Sequence, residues 1–277
     1  MKTLYISDLD GTLFNSKKKI SSYSTEVINR YIEDGMMFSV ATARMPYGCD
    51  YRLEKLKLQT PGILTNGVFI YDFSKKKFLH AETIDKVTAK KVINAFHENK
   101  QDCFMYLFGD NKIRIYYGSK DLEAQIQYYS ERALSECDVV AVTSDYAKNM
   151  EDGDVFYFAR TGTKEELEPV KAAVDKIEGV SCVLYLNIYN QLYCLEVFSN
   201  KASKKHALLK LKEIMKADEL VVFGDNYNDV PMIEVADRSY APANALEEVK
   251  QMVNDVLDDC NNDGVAKFLE KEMQLKS

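Results

Sequence analysis

Long apolar runs are missing from this chain. No stretch approaches the roughly 18 apolar residues of a membrane-spanning helix, so no membrane partner is expected. Nor does its start, MKTLYISDLDG, show a basic segment followed by an apolar one, the pattern of a secretory signal. Paired cysteines are lacking too. Cys49, Cys103, Cys137, Cys182, Cys194 and Cys260 form no C-x-x-C pair and no zinc-like cluster. Cys182 and Cys194 lie in apolar, strand-like stretches, where a thiol serves as a small core hydrophobe, and a reducing cytoplasm is the expected location. Histidine is scarce. His80, His97 and His206 stand in no context such as G-x-S-x-G, which argues against a serine or cysteine hydrolase. Positive charge is in deficit: 36 Lys and Arg against 43 Asp and Glu give a formal net charge of -7. A nucleic-acid binder would carry a basic face instead, so no nucleic-acid partner is expected. There is no internal repeat, low-complexity tract or proline-rich linker.

What remains is a globular composition, 46% hydrophobic and 29% charged over 277 residues, enough for two domains of ordinary size. Short runs apolar nearly throughout (Thr3–Ser7, Met37–Ala41, Gly62–Thr65 and Leu220–Phe223) predict strands buried on both faces of a parallel sheet. Helical spacing between them marks Ser24–Asp34, stopped by Gly35, then Pro46–Leu56 and Ala202–Met215. The alternation predicts a doubly wound, Rossmann-like α/β core. From residue 82 to residue 196 the pattern changes. Helical segments Lys86–Asn99, Leu122–Leu134 and Lys164–Ile177 alternate with two hairpins, Phe104–Phe108 with Lys112–Tyr117, and Val183–Ile188 with Leu192–Phe198 around Asn190. The expected organisation is a discontinuous core, 1–81 and 197–277, interrupted by an α+β domain over 82–196.

The strongest chemical signal is Asp8-Leu9-Asp10-Gly11-Thr12, directly after the first strand, where open parallel sheets place their ligands. Two acids at i and i+2 call for a positive partner, and Mg²⁺, which prefers oxygen ligands, is the obvious one. Gly11 permits a sharp turn and brings backbone N–H groups near an anion. The alternatives are a solvated acidic turn and a calcium loop, but Phe14 and Lys17–Lys19 do not supply the further oxygens calcium needs. Gly224-Asp225-Asn226-Tyr227-Asn228-Asp229 puts more carboxylates at another strand end; alone, it reads equally as a turn with Asp229 capping a helix. Thr42, with Ala43 and Arg44 behind it, could hold phosphoryl oxygens, and otherwise is a cap residue. Lys204 could bring a point charge to the same oxygens, although Lys201, Lys205 and Lys210 crowd the same stretch.

In that order, DLDGT, Thr42, Lys204 and GDNYND resemble the four motifs of the haloacid-dehalogenase (HAD) superfamily. The whole chain looks like its Cof-type subgroup, through Thr65-Asn66-Gly67, the inserted middle, Asn244-Ala245 and Asn262-Asp263-Gly264-Val265-Ala266. It departs from that pattern at Thr42-Ala43-Arg44, where TGR is common, at Ala241-Pro242-Ala243, and at SNKASKK, which lacks the usual glycines. Spacing from Glu196 favours Lys204 over Lys201. The resemblance implies a phosphatase in which Asp8 attacks phosphorus and Asp10 protonates the leaving alcohol, then activates water. It implies that Asp8, the Asp10 carbonyl and Asp225 bind Mg²⁺, and that Asn228 and Asp229 orient Lys204 or a metal-bound water. Gly11, Ala43, Arg44, Asn66 and Asn228 are the implied phosphate or substrate contacts, and a small phosphorylated metabolite such as a sugar phosphate is the implied substrate. A phosphomutase on the same fold and a receiver-like phosphoacceptor are the competing readings; Asp10 and the insertion speak against the second. Tyrosines of the insert, among them Tyr106, Tyr116, Tyr117, Tyr157, Tyr185, Tyr189 and Tyr193, suit a lid that recognises a polar metabolite. The sequence sets no oligomeric state.

Overall fold

Apolar runs of three to five residues form the strands that carry the candidate site. The computed structural model describes residues 1–119, 121, 122, 125, 137, 139–187 and 191–276. In chain order its main elements begin β1 (Thr3–Ser7), α1 (Ser22–Glu33), β2 (Met37–Val40), α2 (Pro46–Leu53), β3 (Gly62–Leu64), β4 (Phe69–Asp72) and β5 (Lys77–Ala81). They continue with α3 (Lys86–Glu98), β6 (Phe104–Gly109), β7 (Lys112–Tyr117), β8 (Val139–Val142), β9 (Asp154–Gly162), α4 (Lys164–Val174), β10 (Val180–Asn187) and β11 (Leu192–Ser199). The last are α5 (Lys204–Met215), β12 (Glu219–Phe223), β13 (Arg238–Pro242), β14 (Asp255–Leu257) and α6 (Gly264–Lys276). They divide into two compact units, Met1–His80 with Ser203–Ser277, and Ala81–Ala202.

In the first unit a five-stranded sheet runs β14-β13-β12-β1-β2, and every pairing is parallel. Leu4, Ile6, Leu220 and Val222 are fully buried in it, as expected of strands covered on both faces. The chain leaves β1 toward β2 on one side and returns through β12 on the other, so the order reverses between β1 and β12, the crevice where such sheets bind ligands. α1 starts at Ser21, whose side chain caps the Ser24 N–H, buries Val27, Ile28 and Ile32, and stops before Gly35 at φ 93°. α5 begins at Lys204, later than the sequence suggests, because Ser203 takes the cap position and accepts from the His206 N–H at 3.1 Å.

One strand expected in the parallel sheet joins it by a single bridge. β3 meets the end of β2 through a parallel Ala41–Ile63 bridge, and its ladder is formed with β4, antiparallel, in a sheet ordered β3-β4-β5. Its three buried residues carry no sign of pairing direction, which the following hairpin decides.

The second unit holds a six-stranded sheet, β10-β11-β9-β6-β7-β8, antiparallel except between β7 and β8. Val92 and Phe96 of α3 and Leu167 and Val170 of α4 share one core with Met105, Phe158, Leu195 and Val197 of the strands. The β6–β7 turn puts Asp110 and Asn111 at φ 53° and 61°, the left-handed pair that a tight hairpin demands. β11 continues to Ser199, paired with β10 throughout. Most of the helix read at Leu122–Leu134, together with Tyr189 and the turn at Asn190, lies outside the described residues. Among those described, no helix is long and apolar enough to cross a membrane.

Candidate active site

β1 delivers Asp8 to the carboxyl end of the sheet and anchors it there through an Asp8 N–H to Phe223 carbonyl bond of 2.9 Å. The chain then turns back, with the Phe14 N–H on the Leu9 carbonyl at 2.7 Å. Gly11 makes that turn at φ 87°, and a Cβ there would lie 2.5 Å from Asp225 Oδ2. No other residue fits so close an approach of the two strand ends. Thr12 donates its hydroxyl to Asp225 Oδ1 at 2.9 Å, joining the two acidic motifs directly.

Lys204 holds the centre. It is 2% exposed, and its Nζ donates to Asp8 Oδ1 at 2.6 Å and to Asp229 Oδ1 at 2.5 Å. Asp229 is fully buried and its other oxygen accepts the N–H groups of Asp225 at 2.9 Å and Asn226 at 3.2 Å. Among the crowded lysines the structure brings Lys204 to the carboxylates; Lys201 is exposed and Lys210 reaches His80 at 3.4 Å.

Burial dominates the electrostatics. It pushes the Asp8 carboxyl up to about 8, with Lys204 pulling against it and Asp229 and Asp225 adding to it. Asp225 is raised to about 6 by burial and by Asp229. For Lys204, burial favours the neutral amine, but Asp8 and Asp229 outweigh it and raise its pKa. One ammonium serves three carboxyls, so the site is short of positive charge.

Asp8, Asp225 and Asp229 each offer a carboxylate oxygen within 4.8 Å of the others, a group able to hold a metal ion. Asp229 already spends both oxygens on Lys204 and backbone N–H groups. Asp8 Oδ2 and Asp225 Oδ2 accept no hydrogen bond among the described residues. An all-oxygen donor set whose three carboxyls share one ammonium fits a hard divalent ion.

The remaining expected residues gather nearby. Thr42 is buried; its hydroxyl accepts the Arg44 N–H at 3.2 Å, which leaves its own O–H to donate. Ala43 is exposed beside it. Asp10 and Arg44 pair through two bonds of 2.6 Å, Nε to Oδ2 and Nη2 to Oδ1. From sequence these two have separate partners, a leaving group and a substrate, and nothing in their spacing indicates that they meet. Asn228 Nδ2 donates to Asn66 Oδ1 at 3.3 Å. Two contributors had no role assigned from sequence. Thr12 lies within DLDGT itself. Asn244, after β13, donates to the Gly11 carbonyl at 2.7 Å and accepts the Cys260 N–H at 2.8 Å, tying the acidic turn to the C-terminal loop.

A family profile described as haloacid dehalogenase-like hydrolase matches residues 5–269. The chain belongs to that family. The hydrolase is 27% identical to a pyridoxal phosphate phosphatase of Escherichia coli over 95% of both chains. It is 25% identical to a 5-amino-6-(5-phospho-D-ribitylamino)uracil phosphatase of Bacillus subtilis over 98% of both. Among solved structures it resembles a haloacid dehalogenase-like hydrolase from Bacteroides thetaiotaomicron, with TM-score 0.77, 25% identity, and coverage of 98% of this chain and 100% of the other.

Proposed function

We propose that this hydrolase is a Mg²⁺-dependent phosphatase of small phosphorylated metabolites, acting through an aspartyl phosphate on Asp8. The observation that carries the reading is Lys204, buried between Asp8 and Asp229 at the strand ends beside Asp225. A phosphate monoester dianion repels a carboxylate nucleophile, so cancelling charge is the first requirement of in-line attack. Lys204 supplies one positive charge through its bond to Asp8 Oδ1. Asp8, Asp225 and the Asp10 carbonyl would hold Mg²⁺, which when bound neutralises phosphoryl oxygens and keeps Asp8 ionised. The Thr42 hydroxyl donates to a phosphoryl oxygen. Asp10 is the proton donor to the leaving alcohol and then the base toward water, two uses of one group in two displacements. That role requires Asp10 to leave Arg44, which then contacts the substrate. Ala81–Ala202 is read as the substrate-selecting cap, and the cytoplasm as the location. The named substrates of the two relatives, both small phosphate monoesters, set the class of compound to test.

The test is a panel of phosphorylated metabolites assayed for phosphate release with Mg²⁺ and with EDTA, followed by acid quench and peptide mapping. Mg²⁺-dependent release with a labelled phosphoryl group on Asp8 is expected. Full activity in excess chelator, or label on another residue, sinks the proposal.

A further inference from the structure

The backbone is most unusual next to the site. Thr65, Asn66 and Gly67 take φ of 53°, 51° and 99°, three left-handed residues in succession. Asparagine and glycine visit that region readily, but a β-branched threonine there is an outlier. Such conformations persist only where the surroundings over-determine them, and they cluster at functional sites.

Here the surroundings are the site's own parts. The Thr65 N–H donates to the Arg44 carbonyl at 3.0 Å and the Asn66 N–H to the Thr42 carbonyl at 3.0 Å. A Cβ on Gly67 would lie 2.2 Å from the Ser203 carbonyl oxygen and 2.9 Å from the Lys204 backbone nitrogen, so the turn abuts the first residue of α5. The Asn66 side chain accepts from Asn228, on the loop that carries Asp225 and Asp229. One three-residue turn thus touches the segments bearing Thr42, Lys204 and Asn228.

We infer that Thr65–Gly67 is the element that sets these three segments against one another, and that Asn66 is a positioning residue acting through the Asn228 amide. Because Asn228 gives its NH₂ to Asn66, its Oδ1 faces away from Asn66 and serves as an acceptor. This inference rests on the phosphatase reading and gives Asn66 a task other than holding substrate.

A double-mutant cycle tests it, on full-length protein with the best substrate of the panel. Asn66→Gly keeps the left-handed backbone at no steric cost and removes only the side chain. Asn66→Gly and Asn228→Ala should each lower kcat about tenfold, as loss of an orienting partner does, with KM within about twofold. The double variant should be no slower than Asn228→Ala, since both break one link. Asn66→Asp, which tolerates the same backbone and keeps an acceptor for Asn228, should keep kcat near the wild-type value. That comparison holds even if the glycine variant does not fold, and a loss of about tenfold in it would count against the inference. Losses that multiply in the double variant, or a raised KM at unchanged kcat, overturn the inference while the phosphatase reading stands. A wild-type protein that hydrolyses no phosphate monoester overturns both.

Discussion

A lysine shut away from water keeps its charge only if carboxylates replace the hydration it has lost. Lys204 has two, and each depends on it in return. Lys204→Ala therefore leaves Asp8 and Asp229 facing one another without a counter-charge. We expect a loss of about 3–5 kcal/mol in stability, typical of breaking a buried pair, and at least about 10²-fold in rate. Denaturant unfolding and steady-state kinetics read the two effects, and Lys201→Ala, at an exposed position, is the control. A larger kinetic loss in Lys201→Ala would mean that the geometry around Lys204 is not the working one. Asp8→Asn behaves differently. Burial already disfavours the Asp8 carboxylate, and Asp229 continues to hold Lys204, so an amide of the same shape fits. Turnover should vanish while the melting temperature without metal stays within about 2 °C of wild type, a shift of about 1 kcal/mol at most. Residual turnover in a preparation free of deamidation would exclude Asp8 as the nucleophile.

Elements were legible in the sequence where burial alone dictates them. β1 coincides with its apolar run, and β2 and β12 differ from theirs by one residue, because an apolar segment covered on both faces has few other conformations open to it. The acidic ends of β1 and β12 could be read as one site because parallel strands beside a reversal of order point their carboxyl ends the same way. The Asp10–Arg44 pair and the Asn244–Gly11 bond were not legible. Each joins loops whose separation in sequence says nothing of their approach in space, and loop geometry follows from turn conformations that sequence patterns leave open. Gly264 shows the same limit. The sequence presents Asn262-Asp263-Gly264 as part of a family pattern, and the structure supplies its physical cause. A Cβ at Gly264 would lie 1.9 Å from the Asp258 carbonyl oxygen, at the first residue of α6. Asp263, at φ 59°, accepts the hydroxyls of Ser21 at 2.5 Å and Ser24 at 2.7 Å and so ties this turn to the start of α1. Gly264→Ala should destabilise the protein by about 3 kcal/mol, the scale of a forced backbone shift, while the folded fraction keeps its kcat. Denaturant unfolding gives the first number and active-site titration the second; a variant as stable as wild type would show that the loop yields cheaply.

For the whole molecule, the acidic centre is a cost that depends on pH and on a cation. Asp8 at about 8 and Asp225 at about 6 both lie above the ordinary carboxyl value of 3.8 that they regain on unfolding. Between those values the folded protein binds more protons than the unfolded one, so stability falls as pH rises. Their contribution is whole below about pH 4 and is lost progressively through 6 and 8. Asp72, Asp85, Asp152 and Asp237 are lowered, so their contributions fade in the opposite direction, as pH drops below about 4. The two ranges are distinct. A divalent ion binding Asp8 and Asp225 must displace their protons, so its affinity should rise with pH across the upper range. Melting temperatures measured with EDTA and with Mg²⁺ at about pH 5.5, 7 and 8.5 should therefore diverge as pH increases. The EDTA curve should fall between the last two values, more steeply in wild type than in Asp8→Asn, while the Mg²⁺ curve stays nearly level. A gap that is constant or narrows with pH would mean that these carboxylates do not hold the ion.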